Sequence, residues 1–336
     1  MMRPGALAGR TASQLLAAPR ATSVAEVVER IGALQAQDLS ATALAVRARS
    51  SGLTADSLGL DGPEYVRTWL MRGTLHLVAA ADAGWMLGLL GPINRAKGAR
   101  RRAQLGLDDA VCSRAVAALP EVLGDGPLGR AEVVARLASA GVVIGPGQAA
   151  PHLLAYAASL GVLALGPEVA RGKASYRLLD PAPPPTADAA AELARRYLVG
   201  HQPAGWADFA AWSGLGLRRA EAAFAALDEP PRPPRLPAGS SVRLVGHFDP
   251  YLLGYADKTA AVPSGYVSRV RTGGGFVTPT VLVDGTAVAT WRRNGSALSV
   301  EPFTPLDEPT RAAVEAEAAD LSRFLATPIS KIHTGP

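Results

Sequence analysis

Two proline-rich stretches constrain this chain more than any other feature. Asp180-Pro181-Ala182-Pro183-Pro184-Pro185 and Pro230-Pro231-Arg232-Pro233-Pro234-Arg235-Leu236-Pro237 can neither continue a helix nor sit inside a sheet, because each proline lacks an N–H and fixes its own φ. Both read as stiff connectors, and they cut the 336 residues into three parts. With 48% hydrophobic residues and a mean hydropathy of +0.14, the chain can fill two or three cores.

In the first part, the apolar spacing predicts a helix over 130–139 with Val133, Val134 and Leu137 on one face. A glycine-bounded turn, 141–147, leads to a second helix over 148–160 that turns Leu153, Leu154, Ala157 and Leu160 toward the same core. Strand-like runs at 162–165 and 174–179 then flank the polar loop 166–173. Helix, turn, helix and a two-stranded ribbon is the winged-helix order. A shorter copy of the helical pair recurs at 206–227, with Leu217, Ala220, Phe224 and Leu227 at helical spacing. A third candidate, 24–50, is broken near Gln35 and followed by the strand-like Thr74-Leu75-His76-Leu77-Val78. Tandem winged-helix modules are therefore expected over 1–90, 91–180 and 186–229.

The character changes beyond Leu236. Val242-Arg243-Leu244-Val245, Thr280-Val281-Leu282-Val283 and Ala287-Val288-Ala289-Thr290-Trp291 are rich in β-branched residues, and Asp284-Gly285 between the last two is a strong hairpin signal. An antiparallel, barrel-like β domain is expected over 240–336, closed by a helix over 308–325 with its acidic residues on one face. The fold class is thus α+β and mainly helical.

No apolar run approaches the roughly 18 residues of a membrane span, and the first residues lack the apolar core of a secretory signal. A cytoplasmic protein is expected. The single cysteine, Cys112, can close no intramolecular disulfide and reads as a small buried residue, and no Cys/His spacing suggests zinc. No metal or other cofactor is expected. The formal charge is +5, and thirty of the 34 basic residues are arginines, whose planar fork suits phosphates and base edges. A GC-rich genome would raise Arg, Ala, Gly and Pro together, so charge alone decides nothing.

The residues with chemical promise lie at Leu34-Gln35-Ala36-Gln37-Asp38, between two predicted helices. Side chains two apart diverge by about 200° on a helix but share a face of an extended segment. Gln35 and Gln37 therefore converge only if the helix breaks, and Asp38 or Ser40 as the next N-cap makes such a break plausible. On spacing alone, two glutamines at a helix end fit solvated surface equally well. His247 and Asp249 form a His-x-Asp pair that suits a hydrolase or a cation site, or simply a hydrogen-bonded Asp-Pro turn; no nucleophile motif accompanies them.

Several separated segments resemble the winged-helix DNA glycosylases of the AlkZ and YcaQ superfamily. They are Leu34 to Asp38, then Trp69-Leu70-Met71-Arg72-Gly73-Thr74-Leu75-His76-Leu77-Val78, then His247-Phe248-Asp249-Pro250-Tyr251-Leu252-Leu253-Gly254-Tyr255, and finally Pro279 to Gly285 with Trp291-Arg292-Arg293. Gln35-Ala36-Gln37 is similar to the Gln-apolar-Gln signature of the AlkZ-like branch. The resemblance implies a C-shaped set of winged helices with a β domain, and excision of alkylated purines, including bulky or crosslinked ones, from double-stranded DNA with Gln35 and Gln37 as catalytic residues. It also implies an approach from the groove side with little extrusion of the base.

Such chemistry tolerates neutral catalysts. Alkylation at N7 or N3 makes the purine a cation and a good leaving group, so oriented amide dipoles suffice to hold a water and favour an oxocarbenium-like sugar. Gln37 is the expected holder of the water and Gln35 its helper. No lysine lies near the segment in sequence, so a monofunctional glycosylase without a lyase step is expected. Arg72, His76, Lys258, Arg269, Arg271, Arg292 and Arg293 are the expected DNA contacts, with the loop 269–276 as the candidate for the minor groove. The cluster Arg95, Lys97, Arg100, Arg101 and Arg102 reads as a backbone clamp or a solvated face. A monomer, used in the nucleoid for repair and for self-resistance against a DNA-alkylating natural product, is the working expectation. The rival reading is a non-catalytic winged-helix DNA binder.

Overall fold

The computed structural model describes residues 4–170, 172–180, 188–236 and 239–335. Pro181 to Pro185 of the first proline-rich stretch and Pro237 of the second lie outside them. The chain forms two compact units: Met1–Gly59 with Ala194–Trp212 and Gly216–Pro336, and Leu60–Leu193 with Ser213–Leu215. The borders thus differ from those drawn on the sequence, because the first 59 residues group with the C-terminal part.

In the unit built on 60–193, strands run in the order Leu75–Ala79, Tyr65–Trp69, Leu163–Ala170, Lys173–Leu178 and Leu128–Gly129, every neighbour antiparallel. Helices Arg130–Ser139 and Ala149–Ser159 form where the periodicity placed them, and Gly141 and Gly147 between them take φ +81° and +73°, values open to glycine. Val133, Leu137, Leu153, Leu154 and Ala157 meet Leu163 and Tyr176 in one core, which also buries Cys112. Leu160 departs from expectation at 41% exposure: the helix ends at Ser159, and Leu160, as its C-cap, leaves the buried face. Helix Ala80–Gln104 lies against Ala149–Ser159 so closely that a Cβ on Gly91 would strike the Ser159 carbonyl.

In the other unit, strands Lys331–Thr334, Ala297–Pro302, Thr286–Asn294, Thr280–Val283 and Val242–Val245 form one sheet in that order. The expected antiparallel barrel is corrected on two counts. The sheet is open, and its first pair, Ala297 to Val300 against Lys331 to Thr334, is parallel. Asp284 and Gly285 turn between strands at φ +48° and +80°, the left-handed pair that a two-residue hairpin requires. Helix Glu308–Phe324, capped by Asp307 accepting from the Thr310 N–H at 3.0 Å, covers the sheet with Val314, Ala318 and Leu321 on Leu244, Val281, Trp291 and Val300.

The N-terminal residues join this unit through buried charge. Helix Leu39–Arg49 carries Arg47, which pairs with Asp320 and Glu317 at 2.9 Å each and donates to the Leu244 carbonyl at 3.1 Å. Arg49 pairs with Asp249 at 2.7 Å with both side chains fully buried. The short helix Pro250–Leu253 begins at that aspartate, which also accepts from the Tyr251 N–H, so Asp249 is the structural turn and not a hydrolytic group. Trp206–Ser213 and Leu217–Ala225 form the third helical pair, held by Phe209 against Phe224 at 5.4 Å between ring centres. Leu217, expected in its core, is 62% exposed in the first turn of its helix. No described helix is long and apolar enough to cross a membrane.

Candidate active site

The glutamine segment is made by two caps. Ser23 begins helix Val24–Ile31 by accepting from the Glu26 N–H at 3.2 Å, and Gly32 ends it at φ +79°, where a side chain would be strained. Asp38 then opens helix Leu39–Arg49 by accepting from the Ser40 N–H at 2.8 Å. Between the caps the chain is extended at Leu34–Gln35. Leu34 and Ala36 are fully buried, whereas Gln35 is half-buried and Gln37 exposed. That alternation is the period of an extended segment, and it sends both amides to the side opposite the core. Ala36 is the anchor between them, and its small side chain is fully used.

Thr42, itself buried, donates its hydroxyl to the carbonyls of Gln35 at 3.0 Å and Asp38 at 3.1 Å, which ties the extended segment to the helix that follows. Neither glutamine side chain has a hydrogen-bond partner among the described residues. Two amides, each with a carbonyl oxygen and two N–H donors, are therefore free to hold a water and a sugar oxygen.

The expected DNA contacts fare differently from one another. His76 is 2% exposed because Leu75, Leu77 and Val78 around it are buried as well, so its strand has no solvent face. Burial first and the nearby Arg72 charge second push its pKa down to about 3, and its Nδ1 sits 2.9 Å from the Thr74 carbonyl. A neutral, enclosed ring offers a phosphate no charge, and this corrects the expectation of His76 as a DNA contact. Arg72 is half-buried at φ +57°, with its own pKa lowered by burial. Arg269 donates to the carbonyls of Pro302 at 3.2 Å and Glu301 at 3.1 Å. Arg271 donates to those of Lys258 at 2.9 Å and of Leu252, and Lys258 to that of Leu253 at 2.6 Å. These three cations are engaged with backbone carbonyls of their own unit. Arg292 and Arg293 remain at the exposed tip of a hairpin, Arg292 at 74% exposure beside Glu301.

The basic cluster of the other unit lies within helix Ala80–Gln104. Arg95 donates to the Ser159 carbonyl at 2.6 Å and Lys97 to that of Gly214 at 3.3 Å, while Arg102 covers the Tyr156 ring at 4.6 Å. Arg100 and Arg101 stay exposed. Sequence reasoning missed Arg47 and Arg49, whose carboxylate partners lie 200 or more residues away, so no local pattern announces them.

A sequence model of the family described as "DNA glycosylase AlkZ-like" matches residues 28–324. The chain belongs to the AlkZ-like DNA glycosylases. Its substrate is accordingly DNA, and its reaction is that of a glycosylase. Among AlkZ-like relatives, it is 28% identical over a 362-residue alignment to the "Interstrand DNA cross-link repair glycosylase" of Streptomyces sahachiroi, covering 94% of each protein. The solved structure "Streptomyces sahachiroi DNA glycosylase AlkZ" superposes with a TM-score of 0.78 over 99% of both chains at 24% identity, which establishes a common fold.

Proposed function

We propose that this glycosylase hydrolyses the N-glycosidic bond of purines alkylated at N7 or N3 in duplex DNA, with Gln37 holding the attacking water and Gln35 orienting it or contacting the sugar. The observation that carries this reading is the capped, extended segment on which Ala36 is buried and both flanking amides face outward without hydrogen-bond partners among the described residues. Preset dipoles of this kind need not reorganise as positive charge moves from the base to the sugar. A monofunctional enzyme is favoured, because an amide forms no Schiff base with the sugar.

The relative named for interstrand crosslink repair supports a capacity for bulky or crosslinked adducts. Self-resistance to a DNA-reactive natural product, a monomeric state and a cytoplasmic, nucleoid-associated location belong to the same proposal. The helix–turn–helix–ribbon order of 130–178 supports winged-helix modules for duplex binding. Arg292 and Arg293, at the hairpin tip, and the loop 269–276 are the segments proposed to meet the groove.

The test is release of 7-methylguanine from duplex DNA by the wild type and by Gln37→Ala. Loss of one preset dipole is expected to slow release by about 10²- to 10³-fold while duplex binding persists. Tight binding with no release by either protein would overturn the proposal.

A further inference from the structure

The glutamines offer dipoles to a reacting sugar, but nothing in two neutral amides tells a charged purine from an ordinary one. A cluster of three rings on the same unit has the chemistry for that. The His247 ring lies 4.8 Å from Phe276 and 6.3 Å from Phe248, and the two phenylalanines meet edge to face at 5.3 Å. Phe276 is 41% exposed and the other two half-buried, so the cluster opens to the surface.

Its backbone is held in place against local preference. Phe248 sits at φ +55°, a left-handed conformation that a bulky residue seldom adopts and that persists where surroundings enforce it. Gly273, Gly274 and Gly275 take φ +101°, +58° and +81°, and the Phe276 N–H closes that turn on the Gly273 carbonyl at 2.9 Å. His247 Nδ1 lies 3.3 Å from the Val277 carbonyl, which makes Nδ1 the donor and fixes the ring; its Nε2 has no partner among the described residues.

The cluster is rooted on the helix that follows the glutamines. Gly246 packs on Leu44 so tightly that an added Cβ would sit 2.9 Å from the leucine Cβ. Leu44 is two residues along the helix from Thr42, whose hydroxyl holds the Gln35 carbonyl. Two residues advance a helix by about 3 Å and rotate it by about 200°, so the rings and the glutamine segment are anchored on the same helical turn from different faces.

We propose that His247, Phe248 and Phe276 form the seat for the flat, positively charged ring of the alkylated purine, tipped from the stack far enough to offer one face. The inference rests on the function proposed above and names how the lesion is selected. Aromatic faces attract a cation beyond the stacking they give any base, so the seat favours the alkylated ring over an unmodified one.

Duplexes with a 2′-fluoroarabino nucleotide, whose glycosidic bond resists cleavage, isolate this step. One carries 7-methylguanine and a second carries neutral 7-methyl-7-deazaguanine, which has the same shape. The wild type is expected to bind the cationic duplex roughly fivefold more tightly. Phe276→Leu is expected to bind the cationic and the neutral duplex alike while keeping its thermal midpoint, and Phe276→Tyr to retain the preference. Absence of a preference in the wild type, its survival in both Phe276→Leu and Phe248→Leu, or an equal loss of affinity for all duplexes would overturn the seat. Neither probe is cleaved and the glutamines are untouched. Failure here therefore leaves the glutamine reading intact, and continued release by Gln37→Ala would leave the seat intact.

Discussion

Helix Leu39–Arg49 and helix Leu217–Ala225 are each the second member of a helical pair, and each carries two arginines, yet the arginines do opposite things. Arg47 and Arg49 are buried and spend their charge on Glu317, Asp320 and Asp249. Arg218 and Arg219 are exposed and make no hydrogen bond or ion pair among the described residues. The same local pattern thus serves as a bolt in one place and as an open cationic face in the other. What separates them is whether acidic side chains from distant sequence arrive to neutralise the guanidinium, since an unpaired buried charge is far too costly to keep.

Removing one partner of the bolt gives the largest expected effect. Asp249→Ala leaves Arg49 buried without its carboxylate and should destabilise the protein by about 3–5 kcal/mol, read as a shift in the urea midpoint. An unchanged midpoint would abolish the contrast between the two helices. Acid approaches it from the pair that includes Leu217–Ala225, where Trp212 packs on the fully buried His201 at 5.6 Å. Burial, chiefly, depresses the His201 pKa from 6.5 to about 3. Below pH 6.5 the unfolded chain therefore takes up a proton that the native state refuses, and stability declines as the pH falls toward 3. The slope is about 1.4 kcal/mol per pH unit from this histidine, and His201→Phe should flatten it.

Asp38→Ala removes the cap that straightens the glutamine segment and should cost about 1 kcal/mol while slowing base release more than duplex binding. A variant with equal losses in both would detach the cap from catalysis. The smallest effect on stability is expected at the open face. Arg218→Ala and Arg219→Ala should stay within about 0.5 kcal/mol of wild type, yet each that contacts a phosphate should lower the salt dependence of DNA binding by about one unit of slope. A midpoint shift as large as that of Asp249→Ala would erase the distinction.

Much of this arrangement was legible in the sequence where the cause is local. The helical pairs announced themselves by apolar spacing, the hairpin at Asp284-Gly285 by its need for two left-handed residues, and the break at Gln35 by the capping chemistry of Asp38. The glutamines share a side because an extended segment alternates, and that could be stated before any coordinates. What stayed hidden depends on encounters across the chain. His76 was expected to meet DNA, but both faces of its strand are covered. Arg269, Arg271 and Lys258 looked available, but nearby carbonyls claim them. The strand Lys331–Thr334 is short and polar and exists because Ala297 to Val300 offers it an edge.

The ion pairs of helix Leu39–Arg49 also have a consequence for biosynthesis. Arg47 finds Asp320 some 273 positions later, and Arg49 finds Asp249 200 positions later. As the nascent chain leaves the ribosome, the glutamines emerge well before Asp249 and Asp320, and their supporting helix waits, with two uncompensated guanidinium groups, until those carboxylates have been translated. Contacts so remote in sequence are slow to form, so a prematurely terminated product would contain the reactive amides without the clasp that holds them, and an incomplete enzyme would have no secure grip on its chemistry.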